Sequence, residues 1–345
     1  MSIHQKYMRR CLQLAKNGIG IASPNPSVGA VLVYNNTIIG EGYTDSYGGK
    51  HAEVNAINSV NNCRLLEQST LYVSLEPCAH YGKTPPCADL IISKKIPKLI
   101  IGCADTNPLV AGKGIEKLKK AGCKLSLGVL EEECKLYHKR FFTVHNKKRP
   151  YIILKWAETK DAFIAPEKKS KQKPIWISNT YSQQLVHKWR SEEQAILVGS
   201  NTVEQDNPAL NVRSWYGKNP VKIIIDRKLR INSSYKVLNN TEKTIVITEL
   251  EQNNKAFIFY EKIDTSADTT KQLCDILMKH NIQSVIIEGG AQILQLFIDK
   301  NTWDEARVFT GDKMFYKGIK APNIKAKQIT EKQIHNNVLK IYTND

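Results

Sequence analysis

The chain has 345 residues, of which 41% are hydrophobic. This length exceeds that of a usual single domain and the composition suffices for sizeable cores, so we predict two domains. The formal net charge of +17 would suit a nucleic acid or a phosphate ligand. The lysines, however, are spread over the whole length without a basic patch interleaved with aromatic residues. We therefore predict no nucleic-acid partner and expect the charge to attract a phosphorylated small molecule.

The N-terminal segment and the cysteines indicate the compartment. MSIHQKYMRRCLQLAKNG places apolar residues at helical spacing among charges, unlike a signal peptide. No later stretch approaches the roughly 18 apolar residues that span a bilayer. The eight cysteines are scattered through a large chain, which argues against a disulfide framework. We expect a soluble, cytoplasmic protein with no membrane partner.

In the first half, predicted strands alternate with amphipathic segments. VGAVLVY and TIIGEGY flank Asn35-Asn36, which predicts a hairpin turn, and HAEVNAINSV follows with helical spacing. The remaining predicted elements are the strands TLYVSLEP, KLIIGCA and KLSLGVL and the helices near PPCADLIISKK and GIEKLKKAG. This order predicts an α/β layered domain with a mixed sheet. The polar stretch HNKKRP at 145–150, closed by Pro150, places the boundary between domains 1–147 and 148–345.

The second half predicts another α/β domain. Its predicted strands are YIILKWA, AILVG, VKIIID, KTIVIT and SVIIEGG, with helical segments such as SNTYSQQLVHKWRSEE between them. The run KKSKQK at 168–173 is interpreted as a solvated loop, with a phosphate-binding role as the alternative. No G-x-G-x-x-G follows a strand, which argues against a Rossmann site. Gly289-Gly290, between a strand and a helix, leaves free N–H groups that can hold a cofactor phosphate, with a simple strand-to-helix turn as the alternative.

Four residues of the first half form a pattern typical of a catalytic zinc site. His51, Cys78 and Cys87 provide three ligands and leave the fourth tetrahedral position open for water. Glu53 lies two residues beyond His51 on the first turn of a predicted helix. Its carboxylate can therefore take a proton as hydroxide attacks an amino-bearing ring carbon, and pass that proton to the departing ammonia. The pattern predicts a zinc-dependent nucleobase deaminase.

The spacing of the two cysteines narrows the class of deaminase. The common pattern is C-x-x-C, whereas eight residues, AHYGKTPP, separate Cys78 from Cys87. Together with PNPSVGAVLV at 24–33, HAEVNA at 51–56 and ADTNPLVAGKG at 104–114, this loop resembles the deaminase domain of the bifunctional riboflavin-biosynthesis enzymes. The resemblance implies a cytidine-deaminase-like fold and hydrolytic loss of the 2-amino group of 2,5-diamino-6-(ribosylamino)-4(3H)-pyrimidinone 5′-phosphate. It also implies that the pyrimidine or the ribose phosphate contacts Asn25, His80, Lys83, Thr84, Asp105 and Asn107. Taken alone, Asn25 could instead shape a turn, and Lys83 could be a solvated loop lysine.

The second half is similar to the reductase domain of the same family, in RPYIILKWAET at 149–159, IWIS at 175–178 and the long run at 189–213. The resemblance implies a dihydrofolate-reductase-like fold, a homo-oligomer, and NADPH-dependent reduction of the ribosyl side chain to give 5-amino-6-(5-phosphoribitylamino)uracil. The implied NADPH site comprises Ala157, Trp176, Thr202, Asp206, Gly289 and Gly290. The implied substrate residues are Arg190, Leu210, Arg213 and Glu288, with Lys155 or Asp206 to orient or protonate the sugar oxygen.

Several points stay open at the level of the sequence. Arg190 could instead form an ordinary surface ion pair with Glu193 or Glu204. Ala162 stands where the family usually has glycine, a harmful change if that position requires a positive φ. The tail from Asp312 onward has no functional interpretation. Two other functions remain as alternatives: deamination of a base within RNA, and a non-catalytic interaction protein whose zinc is structural.

Overall fold

A computed structural model describes residues 2–82, 84–107, 110–239 and 241–344. It divides into two compact units, Met1–Lys148 and Arg149–Asp345. The predicted boundary lies one residue earlier, inside the polar stretch at 145–150. In the structure, the first part of that stretch belongs to a helix that continues to Lys147. This helix ends at Lys148, which has a φ of +54°.

The first unit is built on a five-stranded mixed sheet of order β2-β1-β3-β4-β5. The strands are β1 (Gly29–Tyr34), β2 (Thr37–Tyr43), β3 (Thr70–Leu75), β4 (Lys98–Cys103) and β5 (Lys124–Leu127). β1 is antiparallel to both β2 and β3, whereas β3, β4 and β5 are mutually parallel. The predicted hairpin turn is confirmed, since Asn35 and Asn36 both have positive φ, as a tight two-residue turn requires.

Helices surround this sheet and cover its apolar core. They are α1 (Ile3–Ala15), α2 (Ala52–Asn58), α3 (Cys87–Ser93), α4 (Lys113–Lys120), α5 (Glu131–Tyr137) and α6 (Lys139–Lys147). Helix α2 packs very closely on β2, because a Cβ atom on Gly42 would lie only 2.3 Å from the Ala56 nitrogen and 2.4 Å from the Ala52 oxygen. Glycine at position 42 therefore fixes how near the start of α2 comes to the sheet.

The second unit contains a nine-stranded sheet of order β11-β10-β9-β8-β12-β6-β13-β16-β15 and a separate β14-β7 pair. Its strands are β6 (Tyr151–Glu158), β7 (Phe163–Pro166), β8 (Ala195–Gly199), β9 (Val221–Ile225), β10 (Thr244–Thr248), β11 (Ile258–Lys262), β12 (Ser284–Gly289), β13 (Glu305–Thr310), β14 (Gly318–Lys320), β15 (Lys327–Ile334) and β16 (Asn337–Thr343). Its helices are α7 (Thr180–Glu192), α8 (Ser200–Asp206), α9 (Thr269–Lys279) and α10 (Ala291–Asp299). The strands from β11 through β13 in that order pair in parallel.

The central parallel strands are buried on both faces. Along β6, Ile152 and Leu154 belong to one apolar cluster, while Ile153 between them belongs to another. This alternation explains why these strands are nearly continuous apolar runs in the sequence, as expected for a parallel sheet covered on both sides. Within the described ranges, no helix is long and apolar enough to cross a membrane.

The tail, for which the sequence offered no functional interpretation, has a structural role. β15 and β16 form an antiparallel hairpin that extends the sheet beside β13. Asn337 at the start of β16 is fully buried, and its Oδ1 accepts hydrogen bonds from the Asn179 nitrogen at 2.6 Å and the Ser182 hydroxyl at 3.0 Å. The tail thereby anchors the N-terminus of α7.

Candidate active sites

The three predicted zinc ligands lie together. His51 is the N-cap residue of α2, Cys78 follows β3, and Cys87 is the first residue of α3. The Nδ1 atom of His51 lies 3.6 Å from the Cys78 sulfur and 3.3 Å from the Cys87 sulfur. Tetrahedral zinc with ordinary bond lengths would separate a nitrogen and a sulfur ligand by roughly 3.6 Å. The donor set and its spacing therefore fit zinc.

The N-terminus of α3 favours thiolate at this site. The backbone N–H of Cys87 donates to the Cys78 sulfur at 3.3 Å. Hydrogen bonding from the Cys87 thiol is the main cause that lowers the pKa of Cys78 to about 4, and His51 and this backbone N–H act in the same direction. These hydrogen bonds favour the thiolate form of Cys78, which is the form that binds a metal.

Glu53 occupies the first turn of α2 and is only 4% exposed. Burial raises the pKa of its carboxyl to about 7, and the negative charge of Cys78 adds to this effect. The carboxyl shares a cavity with His51 and Cys78. A hydrogen bond with the Cys87 side chain places it beside the candidate ligands, where a carboxyl group can exchange protons with a reacting water.

This cavity has a volume of about 240 Å³. The predicted residues that line it are Asn25, His51, Glu53, Cys78, His80, Thr84, Asp105 and Asn107. Lys83, also predicted, lies outside the described residues. Residues that the sequence did not single out contribute as well, among them Thr44, Tyr47, Glu76 and Phe141. Glu76 lies inside the predicted strand TLYVSLEP, whereas Phe141 is far in sequence from every predicted motif of the deaminase half.

Two buried carboxyl groups meet on one side of the cavity. Asp105 is 8% exposed, and burial raises its pKa to about 6 even though its Oδ1 accepts a 2.7 Å hydrogen bond from the Asn107 nitrogen. Glu76, at the end of β3, accepts hydrogen bonds from four backbone N–H groups of the segment 105–115. The segment that carries Asp105 and Asn107 is thus attached to Glu76.

In the second unit, three predicted residues form a buried ion cluster. Arg190 on α7 makes two hydrogen bonds to Glu288 on β12, at 3.0 Å and 2.8 Å. The Lys155 nitrogen on β6 lies 3.6 Å from the same carboxylate. Burial alone would raise the pKa of Glu288, but the charges of Arg190 and Lys155 lower it to about 2. Burial and the nearby Arg190 lower the pKa of Lys155.

The alternative of an ordinary surface pair for Arg190 was wrong. Its partner is Glu288, not Glu193 or Glu204, and both side chains are close to 10% exposed. Arg190 also donates to the Asn211 carbonyl, and the backbone N–H of Arg213 donates to His187. No sequence pattern singled out His187, whose pKa is lowered to about 4 by burial and by the adjacent arginines.

Three of the predicted cofactor residues, Gly289, Gly290 and Thr202, lie near one another. Gly289 and Gly290 join β12 to α10, and a Cβ on Gly290 would lie 3.5 Å from the Thr202 hydroxyl. Asp206 instead pairs with Lys169, and the backbone oxygen of Trp176 accepts a bond from Lys313. Ala157 pairs with Phe309 between β6 and β13, and Leu210, predicted as a substrate residue, is buried in a small apolar cluster.

The loop 168–173 was predicted to be solvated, and for one of its lysines this is wrong. The Lys169 side chain is 12% exposed because it forms the ion pair with Asp206. The carboxylate that binds this lysine is more than 30 positions away in the sequence.

Known proteins resemble this chain over nearly its whole length. Residues 1–103 match the cytidine and deoxycytidylate deaminase zinc-binding region, and residues 150–321 match the RibD C-terminal domain. The riboflavin biosynthesis protein RibD of Aquifex aeolicus is 38% identical over 334 residues, which cover 95% of this chain and 92% of that protein. The RibD protein of Actinobacillus pleuropneumoniae is 39% identical, with 83% and 78% covered. The chain belongs to the RibD family.

Solved structures of RibD proteins agree with this assignment. The diaminohydroxyphosphoribosylaminopyrimidine deaminase/5-amino-6-(5-phosphoribosylamino)uracil reductase of Thermotoga maritima has a TM-score of 0.90 and 36% identity, covering 99% of this chain and 98% of that one. RibD from Acinetobacter baumannii has a TM-score of 0.89 and 29% identity, with the same coverage. The predicted family and fold class are confirmed. The chain is a bifunctional enzyme of riboflavin biosynthesis, with a zinc-binding deaminase domain and a reductase domain that uses a nicotinamide cofactor.

One departure from the RibD pattern has a visible cost. Ala162, where the family usually has glycine, adopts φ of +61° between Thr159 and β7. The adjacent Asp161 carboxylate accepts backbone hydrogen bonds from Phe315 and Tyr316, which fixes the loop. The position therefore does require a left-handed conformation, and alanine is strained there.

Proposed function

We propose that residues 1–147 deaminate 2,5-diamino-6-(ribosylamino)-4(3H)-pyrimidinone 5′-phosphate, and that residues 148–345 reduce the product with NADPH to 5-amino-6-(5-phosphoribitylamino)uracil. The observation that carries this proposal is the convergence of His51, Cys78 and Cys87 beside the buried Glu53. The activity named for the related enzyme of Thermotoga maritima supports the substrate class, a small-molecule pyrimidine.

In the deaminase half, His51, Cys78 and Cys87 would hold zinc. When bound, zinc supplies a Lewis acid that acidifies a water molecule enough to yield hydroxide near neutral pH. As the water oxygen bonds to the ring carbon, Glu53 transfers one proton of that water to the adjacent ring nitrogen; it then transfers the hydroxyl proton to the 2-amino group, which leaves as ammonia when the C–N bond breaks. Around them, Asn25, His80, Thr84, Asp105 and Asn107 hydrogen-bond the polar ring or the ribose phosphate, and Lys83 is assigned to the substrate by resemblance.

In the reductase half, Arg190, Arg213, Leu210 and Glu288 bind the phosphorylated substrate. NADPH would supply the hydride, so the protein's task is alignment. The residues proposed to bind it are Ala157, Trp176, Thr202, Asp206, Gly289 and Gly290. Lys155 or Asp206 orients or protonates the sugar oxygen. The buried position of Lys155, 3.6 Å from Glu288, supports the first of these two candidates.

Substitution Glu53→Ala tests the deaminase. Loss of the proton shuttle should lower deamination by about 10²- to 10⁴-fold. Zinc should stay bound, because Glu53 is not a ligand, and NADPH oxidation with the deaminated pyrimidine should be unchanged. Glu67→Ala, an exposed carboxylate of the same unit, is the control. Unchanged deamination in Glu53→Ala would leave zinc with a structural role only.

The reductase assignment has its own test. NADPH oxidation is followed with the deaminated pyrimidine at saturating concentration, and NADH serves as the comparison. Turnover with NADPH supports the proposal, whereas no oxidation of NADPH would remove the reductase half of it.

Three expectations from the sequence stay predictions: a cytoplasmic location, a homo-oligomer and no nucleic-acid partner. Light scattering tests the second. A salt-sensitive complex with transfer RNA, together with deamination of adenosine in that RNA, would contradict the third and the choice of substrate.

A further inference from the structure

Glu76 occupies an unusual place between the metal ligands and the substrate residues. It follows β3 and precedes Cys78 by two residues, with Pro77 between them. It is 4% exposed and lines the cavity, yet it belongs to neither the ligand set nor the proton shuttle. A buried carboxylate carries a large desolvation penalty, so its hydrogen-bond partners show what compensates for that penalty.

All four partners that we observe are backbone N–H groups from one other segment. Oε2 accepts from Asp105 at 3.2 Å and from Gly112 at 3.1 Å. Oε1 accepts from Gly114 at 3.0 Å and from Ile115 at 3.2 Å. The carboxylate therefore joins the residue just after β4 to the first turn of α4.

At the helix end, Glu76 takes the place of a missing cap. The N-cap residue of α4 is Gly112, which has no side chain to accept a hydrogen bond from the first turn. The N–H groups of Gly114 and Ile115 would otherwise lack intrahelical acceptors. A Cβ on Gly114 would lie 2.0 Å from the Pro77 oxygen and 3.2 Å from Oε1 of Glu76, so only glycine permits this close approach.

At the other end, the same carboxylate fixes the residues that face the cavity. Asp105 is bound through its backbone nitrogen, and its own Oδ1 accepts from the Asn107 nitrogen at 2.7 Å. The backbone of Glu76 is fixed in turn, because its N–H donates to the Cys103 carbonyl at 3.0 Å. A continuous set of hydrogen bonds thus leads from the Cys78 segment to Asp105 and Asn107.

We propose that Glu76 is a positioning residue of the deaminase, which holds Asp105 and Asn107 at the distance from the metal ligands that the pyrimidine requires. This inference rests on the proposed deamination. Glu76 acts through the backbone of its neighbours and does not touch reacting atoms. Its loss should weaken substrate binding more than it slows the chemical step.

Substitution Glu76→Gln is the main test. The amide keeps the size of the side chain but places an NH₂ group against two backbone donors, which breaks two of the four hydrogen bonds. We expect the KM for the pyrimidine to rise by about tenfold or more, with kcat changed by less than about threefold. Zinc content and the reductase activity of the same chain should match the wild type.

Matched variants separate positioning from general destabilisation. Glu116→Gln removes an exposed carboxylate from the first turn of the same helix, where it pairs with Lys120, and should leave KM unchanged. Glu76→Asp, which reaches only part of the partner set, should give an intermediate KM. Because Glu76 acts through Asn107, the KM effects of Glu76→Gln and Asn107→Ala should not multiply in the double variant.

The outcomes distinguish the two levels of proposal. A wild-type chain that binds zinc but does not deaminate the pyrimidine contradicts the proposed function. An active wild type with an unchanged KM in Glu76→Gln overturns the positioning role. A Glu76→Gln chain whose zinc content and kcat fall together at constant KM, with Glu76→Asp behaving alike, also overturns it, because that pattern reports a loss of folded enzyme.

Discussion

The two halves of this enzyme carry their chemistry in different ways. In the deaminase, the ligands and the proton shuttle lie between residues 51 and 87, and each is a residue type that a metal or a proton transfer demands. In the reductase, Lys155 and Glu288 come from the neighbouring strands β6 and β12, and Arg190 comes from helix α7; the three meet only in the folded domain. The metal centre can therefore be predicted from a local sequence motif, whereas the ion cluster depends on how distant elements come together in the fold.

Removal of the metal should have the largest effect on activity, and it should affect the deaminase without affecting the reductase. A chelator, or Cys78→Ser, should reduce deamination to background, a loss of at least about a thousandfold, since three protein ligands are needed to keep an open catalytic position. NADPH oxidation should not change, because the reductase cluster contains no metal ligand set within the described residues. Both rates are measured on one preparation, and restored zinc should recover deamination. A parallel loss of both activities would contradict the separation.

The next largest effect is expected for Glu288→Gln. The substitution leaves Arg190 and Lys155 buried without their carboxylate, and breaking such a pair typically costs about 3–5 kcal/mol. All five tryptophans lie in the second unit, so intrinsic fluorescence during urea unfolding reports on that unit. Glu249→Gln, which breaks the more exposed pair with Arg227, is the control and should cost about 1 kcal/mol or less.

For the Glu288→Gln variant we also expect a change in the pH dependence of the free energy of unfolding. The folded pKa of Glu288 is about 2, below its ordinary value near 4.5, so the carboxylate stabilises the folded state above pH 4.5. This contribution is lost as the pH falls from 4.5 toward 2. The wild type should therefore lose stability more steeply than Glu288→Gln across this range. Identical slopes would mean that the ion cluster does not lower this pKa.

Ala162→Gly should have the smallest effect and the opposite sign. Glycine relieves the strain of φ +61° and should raise the free energy of unfolding of the second unit by about 1 kcal/mol. For a unit of this size, the Tm should rise by about 2–4 °C. Ala165→Gly, in the middle of β7, should instead destabilise. If both substitutions shift the Tm in the same direction, backbone strain at position 162 is not the cause.

The features that the sequence predicted well are those set by local rules. The Asn35-Asn36 turn, the alternation of strands and helices, and the His51, Glu53, Cys78 and Cys87 pattern each depend on residue types at short spacing. Positive φ at position 162 could also be anticipated, because a family glycine marks it.

The features that escaped prediction depend on distant partners. Glu76 binds N–H groups 29 to 39 positions away, and backbone donors leave no trace in side-chain patterns. Arg190 had acidic residues nearby in sequence, yet it pairs with Glu288, 98 positions away. Lys169 is one lysine among several, and only the position of Asp206 selects it. In each case the hydrogen-bond or ion-pair partner is determined by the fold and not by the residue type.

The hairpin at the end of the chain has a practical consequence for anyone who isolates the reductase half. The match to the RibD C-terminal domain ends at residue 321, before β15 and β16. A fragment that stops there would leave the buried strand β13 at an open edge, with unpaired N–H and C=O groups where β16 had been. Such an edge invites pairing with other chains, so the shorter fragment should aggregate, whereas one that extends through Thr343 keeps this edge covered.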